Sequence, residues 1–347
     1  MSFVWTLAEQ HEGRLKAVSY ELLARGRVLA DALDTKLASL LLGDGVDDAQ
    51  LESLVHHGAD EVYAVQDPRL ADFVCETYGN VLVHLIRTYH PTVILAAATS
   101  LGRTLMPHVA VRVHAGLTAD CTELAIETGT GHLLQTRPAI GGNILATIKT
   151  PDVRPQMATV RPKSTRPLPA DPTRVGNVIA VPLDDALVDA RVRVRGLRRD
   201  VEDFVNLEEA DVVVAGGRGM KKAEQFARLR GLADRLGGAV GATRDAVDRG
   251  WIGYPHQVGL SGKTISPKLY LGFGISGAIQ HLAGIKTSET IVSVNSDPDA
   301  PLHKVADFAI VGDLFAVLDE LQRRLDERPR PRDGAPPAHD AGSEGRA

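Results

Sequence analysis

Three glycine-bearing segments in the second half of the chain each follow a short apolar run, and each carries residue types that can bind phosphate or a flat cofactor. Gly216-Gly217-Arg218-Gly219 follows the run Val212 to Ala215. Its small residues allow close backbone approach, and the Arg218 guanidinium could pair with a phosphate. Taken alone, the same residues read equally well as a glycine-rich turn with a surface arginine. Gly272-Phe273-Gly274-Ile275-Ser276-Gly277 fits GxGxxG, between a strand over Lys268 to Leu271 and a helix expected from Ala278 through Ile279, Gln280 and His281 to Leu282. Successive amides at that helix start, with the helix dipole, would hold a pyrophosphate. About 20 residues further on, Asn295-Ser296-Asp297 closes the strand Thr290 to Val294, where a dinucleotide fold places its ribose-binding acid. This spacing does not separate NAD from FAD. A nucleotide-binding oxidoreductase using the GxGxxG loop and a non-redox regulatory module both stay open at this point.

The remaining candidates are weaker by themselves. Gln257-Val258-Gly259-Leu260-Ser261-Gly262-Lys263 has the look of a Walker loop but lacks the GxxxxGK[ST] spacing, so nucleotide hydrolysis is not expected. Thr243 reads as a helix cap and Arg244 as surface charge ahead of a helix near Asp245 to Arg249. His281 has no second His or Cys at metal-ligand spacing. His56, His57, His84, His90 and His114 are scattered, with no nucleophile and base among them. The two cysteines, Cys75 and Cys121, lie apart, so neither a structural zinc nor an iron–sulfur cluster is expected within this chain.

Short β-branched runs alternate with amphipathic stretches from the start: Val4 to Leu7, a helix near Glu21 to Leu33, Leu37 to Leu42, a helix near Ala49 to His57, and Val62 to Val65. A helix around Leu70 to Thr88 and the run Thr92 to Ala98 continue the βαβ rhythm, which predicts parallel strands covered by helices. No element is assigned between Ala98 and Leu117. From Leu117 to Pro162 the texture turns Thr-rich and Gly-punctuated, with extended strands over Leu133 to Pro138 and Asn143 to Ile148. Pro162, Pro167 and Pro169 mark a crossover before Val178 to Val181. Val192 to Gly196 closes the first block, and a helix near Val201 to Glu208 and a strand over Asp211 to Ala215 open the second.

At 347 residues two domains are expected: an N-terminal Rossmann-like α/β domain over 1–196 and a parallel-sheet α/β domain over 197–328. Residues 329–347 are too polar and Pro/Gly-rich to form a core and are expected to be disordered. Lys and Arg total 39 against 44 Asp and Glu, which argues against a nucleic-acid partner. The few cysteines and the absence of a charged start before the apolar run Phe3 to Leu7 lead us to expect a cytoplasmic protein.

The second block as a whole resembles the FAD domain of electron transfer flavoprotein alpha subunits. The match runs through Gly216 to Gly219, Gly241-Ala242-Thr243-Arg244, Gln257-Val258-Gly259, Leu269 to Gly284, Asn295 to Pro298 with Ala300-Pro301, and Asp313-Leu314-Phe315. In the first block Leu117 to Thr122, Gly141 to Ile144 and Arg154 to Pro162 are similar to the members from anaerobes, several of which serve acyl-CoA or lactate dehydrogenases by flavin-based bifurcation.

The resemblance implies FAD as cofactor and no metal. It places Arg218, Ser276, Gly277, Ala278 and Gln280 along the ribityl and pyrophosphate, within a site that also takes in Gly217, Gly219, Gly274, Ile275 and Ile279. Asn295, Asp313 and Leu314 go toward the adenosine, Thr243, Arg244, Val258, Gly259, Ser261 and His281 surround the flavin ring, and Gln257 and Leu260 belong to the cofactor-binding set beside them. Arg244 and His281 would tune its redox behaviour, the guanidinium and ring donors favouring the negatively charged reduced flavin. Thr243 stands where many members have Ser, and Leu260-Ser261 where the mitochondrial type has Gln-Thr. The implied partners are a beta subunit carrying AMP or a second FAD, an acyl-CoA or related dehydrogenase, and a quinone oxidoreductase or other acceptor. The implied role is that of an electron carrier and not a self-sufficient enzyme.

Overall fold

A computed structural model of the chain describes residues 3–139, 144–196 and 207–327. Gly141, Gly142 and Asn143, most of the helix expected near 201–208, and the tail expected over 329–347 lie outside the described residues. The chain divides into two compact units, Met1–Phe204 and Val205–Ala347.

The first unit runs β1 (Phe3–Ala8), β2 (Gln10–His11), β3 (Arg14–Leu15), α1 (Ala17–Ala32), β4 (Lys36–Gly43), α2 (Asp48–His56), β5 (Glu61–Gln66), α3 (Cys75–Tyr89), β6 (Val93–Ala97) and α4 (Ser100–Val113). It continues with β7 (Leu117–Cys121), β8 (Glu123–Ile126), β9 (Leu133–Ala139), β10 (Ile144–Ile148), β11 (Gln156–Val160) and β12 (Asn177–Ala180). Seven strands form one sheet in the order β12-β5-β4-β1-β6-β11-β7, parallel throughout. The central strands β4, β1, β6 and β11 are buried on both faces almost throughout, which is why they are largely apolar. On β6, Val93, Leu95 and Ala97 enter one core cluster while Ile94 and Ala96 enter the other. The proline-rich stretch after β11 carries the chain from near one edge of the sheet to β12 at the opposite edge, so the expected crossover is present. β8, β9 and β10 form a separate antiparallel sheet.

Two helical regions of the first unit differ from expectation. The helix expected over Leu70 to Thr88 splits, with a 3₁₀ turn at Pro68–Leu70 and α3 beginning only at Cys75. Asp67 caps the turn through the Arg69 amide at 2.9 Å. The Tyr78 hydroxyl donates to the Leu70 carbonyl at 2.7 Å, so a side chain takes an acceptor that a continuous helix would use. The interval left unassigned holds α4, despite Gly102 and Pro107 inside it.

The second unit runs β13 (Val212–Gly216), α5 (Phe226–Arg235), β14 (Ala239–Ala242), α6 (Arg244–Asp248), β15 (Leu269–Phe273), α7 (Ile279–Ile285), β16 (Thr290–Asn295), β17 (Phe308–Val311) and α8 (Leu314–Glu327). Its strands form a parallel sheet ordered β14-β13-β15-β16-β17. Strand order reverses between β13 and β15, and in such doubly wound sheets the ligand crevice opens there, beyond the carboxyl ends of the strands. Among the described residues no helix is long and apolar enough to cross a membrane.

Two helical glycines give opposite expectations for replacement by alanine. An added Cβ at Gly102 of α4 would sit 1.9 Å from the Ala97 carbonyl oxygen, whereas at Gly231 of α5 the nearest atom is a flexible Gln322 amide at 3.8 Å. Gly231→Ala should therefore stabilise by roughly 0.5–1 kcal/mol through helix propensity. Gly102→Ala should destabilise by about 1–3 kcal/mol, because α4 must move off β6. Urea unfolding followed by circular dichroism reads both; equal effects at the two sites would contradict the packing described.

Candidate functional site

The loops after β13 and β15 are laced together by backbone bonds. The Gly217 amide donates to the Phe273 carbonyl at 3.0 Å, Gly219 to Gly274 at 3.0 Å, and Gly274 in turn to Val294 at 2.8 Å. Thr243, at the end of β14, donates its amide to Gly216 at 3.1 Å. Glycine is required because there is no room for anything else. A Cβ at Gly217 would lie 2.4 Å from the Gly274 oxygen, and one at Gly219 2.6 Å from the Gly274 Cα. Gly274 turns out of β15 at φ +62, in the left-handed region. The small residues of the first glycine segment thus serve contact between two loops, and the Gly217 and Gly219 amides are spent inside the protein.

Beside this interlock lies a cavity of about 460 Å³. Arg218 contributes from the turn after β13, Thr243, Arg244 and Asp245 from the start of α6, and Val258 to Ser261 from a separate turn. Gly274 to Ala278 with Gln280 and His281 complete the wall. Every lining residue except Asp245 was named from the sequence. Of the other residues named, Gly217 and Gly219 form the interlock, and Gln257 is buried with its amide donating to the Ser261 carbonyl and hydroxyl at 3.0 Å. Ile279 is exposed on α7. Asn295, Asp313 and Leu314 do not line the cavity. The Asn295 side chain braces the loop by donating to Ile275 O at 3.0 Å. Asp313 accepts from the amides of Phe315 and Ala316 at the start of α8, and Leu314 is buried.

The wall is prepared for an anion, though not through a long helix. α7 has seven residues and starts at Ile279, so its dipole is that of about two turns. What the loop offers is the orientation of its peptides. The carbonyls of Ile275, Ser276 and Ala278 already accept from the Asn295 side chain, the Leu302 amide, and the His281 and Leu282 amides. A negatively charged ligand here meets no unpaired carbonyl from these residues. Gln257 to Lys263 closes on itself, Lys263 N donating to Gln257 O at 2.7 Å and Gly262 N to Gly259 O at 3.0 Å, and is a tight turn and not a phosphate loop.

Thr243 occupies the N-cap position of α6, yet its side chain makes no capping bond. Its buried Oγ1 has no hydrogen-bond partner among the described residues, a cost that a ligand group at this wall would relieve. Arg244 follows it, with its side chain 70% exposed and Nε 3.2 Å from Asp248. Asp245 is paired with Arg249 at 3.0 Å. Sequence reasoning missed Asp245 as a lining residue; its place beside Arg244 was the available signal.

His281 is buried against protein groups. Its Nδ1 lies 3.1 Å from the Val258 carbonyl and its Nε2 2.7 Å from the Tyr270 hydroxyl, so each ring nitrogen has a partner within the protein. Burial holds its pKa down at about 4, the Val258 bond opposing only in part, so the imidazole is neutral at physiological pH.

Comparison with known protein families agrees with this geometry. Residues 4–186 match the electron transfer flavoprotein domain and residues 206–286 the electron transfer flavoprotein FAD-binding domain. The electron transfer flavoprotein subunit alpha of Thermoanaerobacterium thermosaccharolyticum is 48% identical over 318 residues, 92% of this chain and 96% of the relative. That of Megasphaera elsdenii is 45% identical over 317 residues, 91% of this chain and 94% of the relative. The lactate dehydrogenase (NAD(+),ferredoxin) subunit LctC of Acetobacterium woodii is 39% identical over 314 residues, 89% of this chain and 73% of the relative. The family favours FAD over the nicotinamide alternative that the glycine pattern left open, and it pairs alpha with beta subunits and with dehydrogenases. With cavity, glycine loops and matched regions in agreement, the chain belongs to the electron transfer flavoprotein alpha subunits and binds FAD.

Proposed function

We propose that the cavity beyond β13, β14 and β15 holds the FAD and that the chain carries single electrons as one half of a heterodimer with a beta subunit. The observation that carries this reading is the unpartnered Thr243 hydroxyl, on the same cavity wall as Arg218 and Arg244 at the point where strand order reverses. Bound FAD supplies one-electron redox chemistry. The rest is binding and electrostatics from this chain. Arg218, Ser276, Gly277, Ala278 and Gln280 take the ribityl and pyrophosphate, while Thr243, Arg244, Val258, Gly259, Leu260, Ser261 and His281 surround the flavin ring. Arg244 lends positive charge to the reduced form, and His281 offers a neutral ring edge. Asn295, Asp313 and Leu314 lie toward the adenosine, where Asn295 and Asp313 also brace the loops.

In this reading residues 1–196 are the base that a beta subunit, carrying AMP or a second FAD, docks against. Residues 197–328 form the FAD domain, and 329–347 are dispensable. The electron donor is an acyl-CoA or related dehydrogenase in the cytoplasm, and the acceptor a quinone oxidoreductase or similar protein. The likeness to LctC, whose name pairs NAD(+) with ferredoxin, supports membership of the bifurcating branch.

Two substitutions test the site in the purified heterodimer. Gly217→Ala forces a Cβ against the Gly274 carbonyl at 2.4 Å, and should cut bound FAD several-fold with the far-ultraviolet circular dichroism unchanged. Full flavin content would place the cofactor elsewhere. Arg244→Ala should lower the midpoint potential of the bound flavin, by about 59 mV for each tenfold lost in a one-electron equilibrium. Arg244→Lys should restore part of this, because an ammonium keeps the charge without the planar stacking surface. A reductive titration of Arg244→Ala that overlays the wild type would return this residue to the surface.

A further inference from the structure

The turn that carries Ser261 into the cavity wall is folded over a buried amide. Gln257, at the root of the turn, is 3% exposed, while Ser261, near its tip, is exposed and lines the cavity. The backbone closes around the side chain: the Gly259 amide donates to the Lys263 carbonyl at 3.0 Å and the Lys263 amide to the Gln257 carbonyl at 2.7 Å. Gly262 permits this closure, since a Cβ there would lie 2.3 Å from the Gln257 carbonyl oxygen and 2.9 Å from its Cγ. Inside the turn, Gln257 Nε2 donates to the Ser261 carbonyl at 3.0 Å and to the Ser261 hydroxyl oxygen at 3.0 Å. The Tyr254 hydroxyl donates to the same carbonyl at 2.9 Å. These contacts fix where each hydrogen points. A carbonyl oxygen only accepts, so the end of the amide that faces Ser261 O is the NH2, and the flipped amide would set two acceptors against each other. The same NH2 lies against Ser261 Oγ, which therefore accepts from it. The hydroxyl hydrogen cannot point back along that bond, and among the described residues it has no other acceptor.

We propose that Gln257 is a positioning residue: its buried amide holds the Ser261 hydroxyl as a hydrogen-bond donor toward the cavity, so that this part of the wall selects a cofactor atom that accepts. This rests on the reading that FAD occupies the cavity. Gln257 does not itself line the cavity, so any effect on the cofactor passes through Ser261. A serine hydroxyl in water donates or accepts as its surroundings ask. One that already accepts from a fixed amide offers its hydrogen to the next partner, and a ligand that takes this hydrogen does not have to reorient the group first. Elsewhere on the wall the carbonyls of Ile275, Ser276 and Ala278 are already bonded within the protein, so a ligand acceptor meets the Ser261 donor without a competing free carbonyl from these residues.

A double-mutant cycle on FAD binding to the deflavinated heterodimer, read as a dissociation constant and as the visible absorption of the bound flavin, separates this role from a simple brace of the turn. Ser261→Ala should weaken FAD about three- to tenfold, the scale of one net hydrogen bond, and should shift the flavin bands. Gln257→Met keeps the length of the side chain and removes the donor. It should cost about two- to threefold, because the hydroxyl must then be oriented by the ligand, and should shift the bands in the same direction as Ser261→Ala. In the Ser261→Ala background Gln257→Met should cost nothing further and move the spectrum no further. An equal cost in both backgrounds makes Gln257 a brace and overturns the proposal while leaving FAD in the cavity. A Ser261→Ala heterodimer with unchanged affinity and spectrum removes the flavin from this wall, and the role assigned to Gln257 goes with it. Neutron diffraction from the deuterated wild-type heterodimer loaded with FAD decides the point even if Gln257→Met fails to assemble. Deuterium should lie on Gln257 Nε2 toward Ser261 and on Ser261 Oγ toward the cofactor; a Ser261 deuteron directed at Gln257 overturns the proposal.

Discussion

The contact between two glycine loops, Gly217-Arg218-Gly219 against Gly274-Ile275, is the constraint on which the site depends. It extends the pairing of β13 with β15 past the ends of the strands and leaves no room for a Cβ at Gly217, Gly219 or Gly274. The consequence is rigidity. Arg218 leaves its loop from a fixed point, and the turn at Gly274 sends the chain out toward α7 with its carbonyls already bonded. A ligand that fits this wall does not have to order it first, and the interaction free energy is not diminished by that cost. Gly277 adds a second anchor, because a Cβ there would lie 2.4 Å from the Leu302 amide nitrogen.

The two units show how one layout gives a site in one place and a filled crevice in another. In the first unit β5-β4-β1-β6 has the strand order of a dinucleotide-binding half, with its reversal between β1 and β6. The protein's own side chains bridge that point. The buried Glu9 carboxylate accepts from the Thr99 hydroxyl at 2.5 Å and lies 3.5 Å from the Lys16 ammonium. At the corresponding reversal in the second unit β13 ends in Gly216 and β15 is followed at once by Gly274, which add no side chain to fill the space. Both features are visible in the residue types, since a Glu and a Thr after apolar strands occupy room that Gly-Gly and Gly-Phe-Gly leave free.

The sequence disclosed elements best where a single signal decided the matter. Apolar runs gave the parallel strands, and glycines at their ends gave the cavity. It failed where tertiary contacts override local chemistry. The interval of α4 was given no element, although the spacing of Leu105, Met106, Val109 and Ala110 is helical, and Gly102 sits where the helix approaches the Ala97 carbonyl. The early turns of the helix expected from Leu70 were lost to a bond from Tyr78. At the site, the identity of the lining residues was legible but the bonding of His281 was not. Its partners are a carbonyl from another turn and a phenol on a neighbouring strand, which only the folded sheet brings together.

Charge and dryness are kept apart in this cavity. Arg244 stands at its mouth, largely exposed and within reach of Asp248, where water screens it. Two unit charges 4 Å apart interact by about 1 kcal/mol in bulk water but by about 4 kcal/mol at the effective dielectric of a protein surface pair. If the flavin occupies this cavity as proposed, the pull of this guanidinium on its reduced form grows with whatever displaces water around it, beginning with the flavin ring. The floor is the reverse, since it is dry enough for a charge to act strongly, and Tyr270 and His281 are both neutral there. A permanent cation in the floor would hold the reduced state tightly whatever partner was docked. With the cation at the wet mouth, the stabilisation depends on how the mouth is covered, which is the property a carrier needs if it is to take an electron in one complex and release it in another.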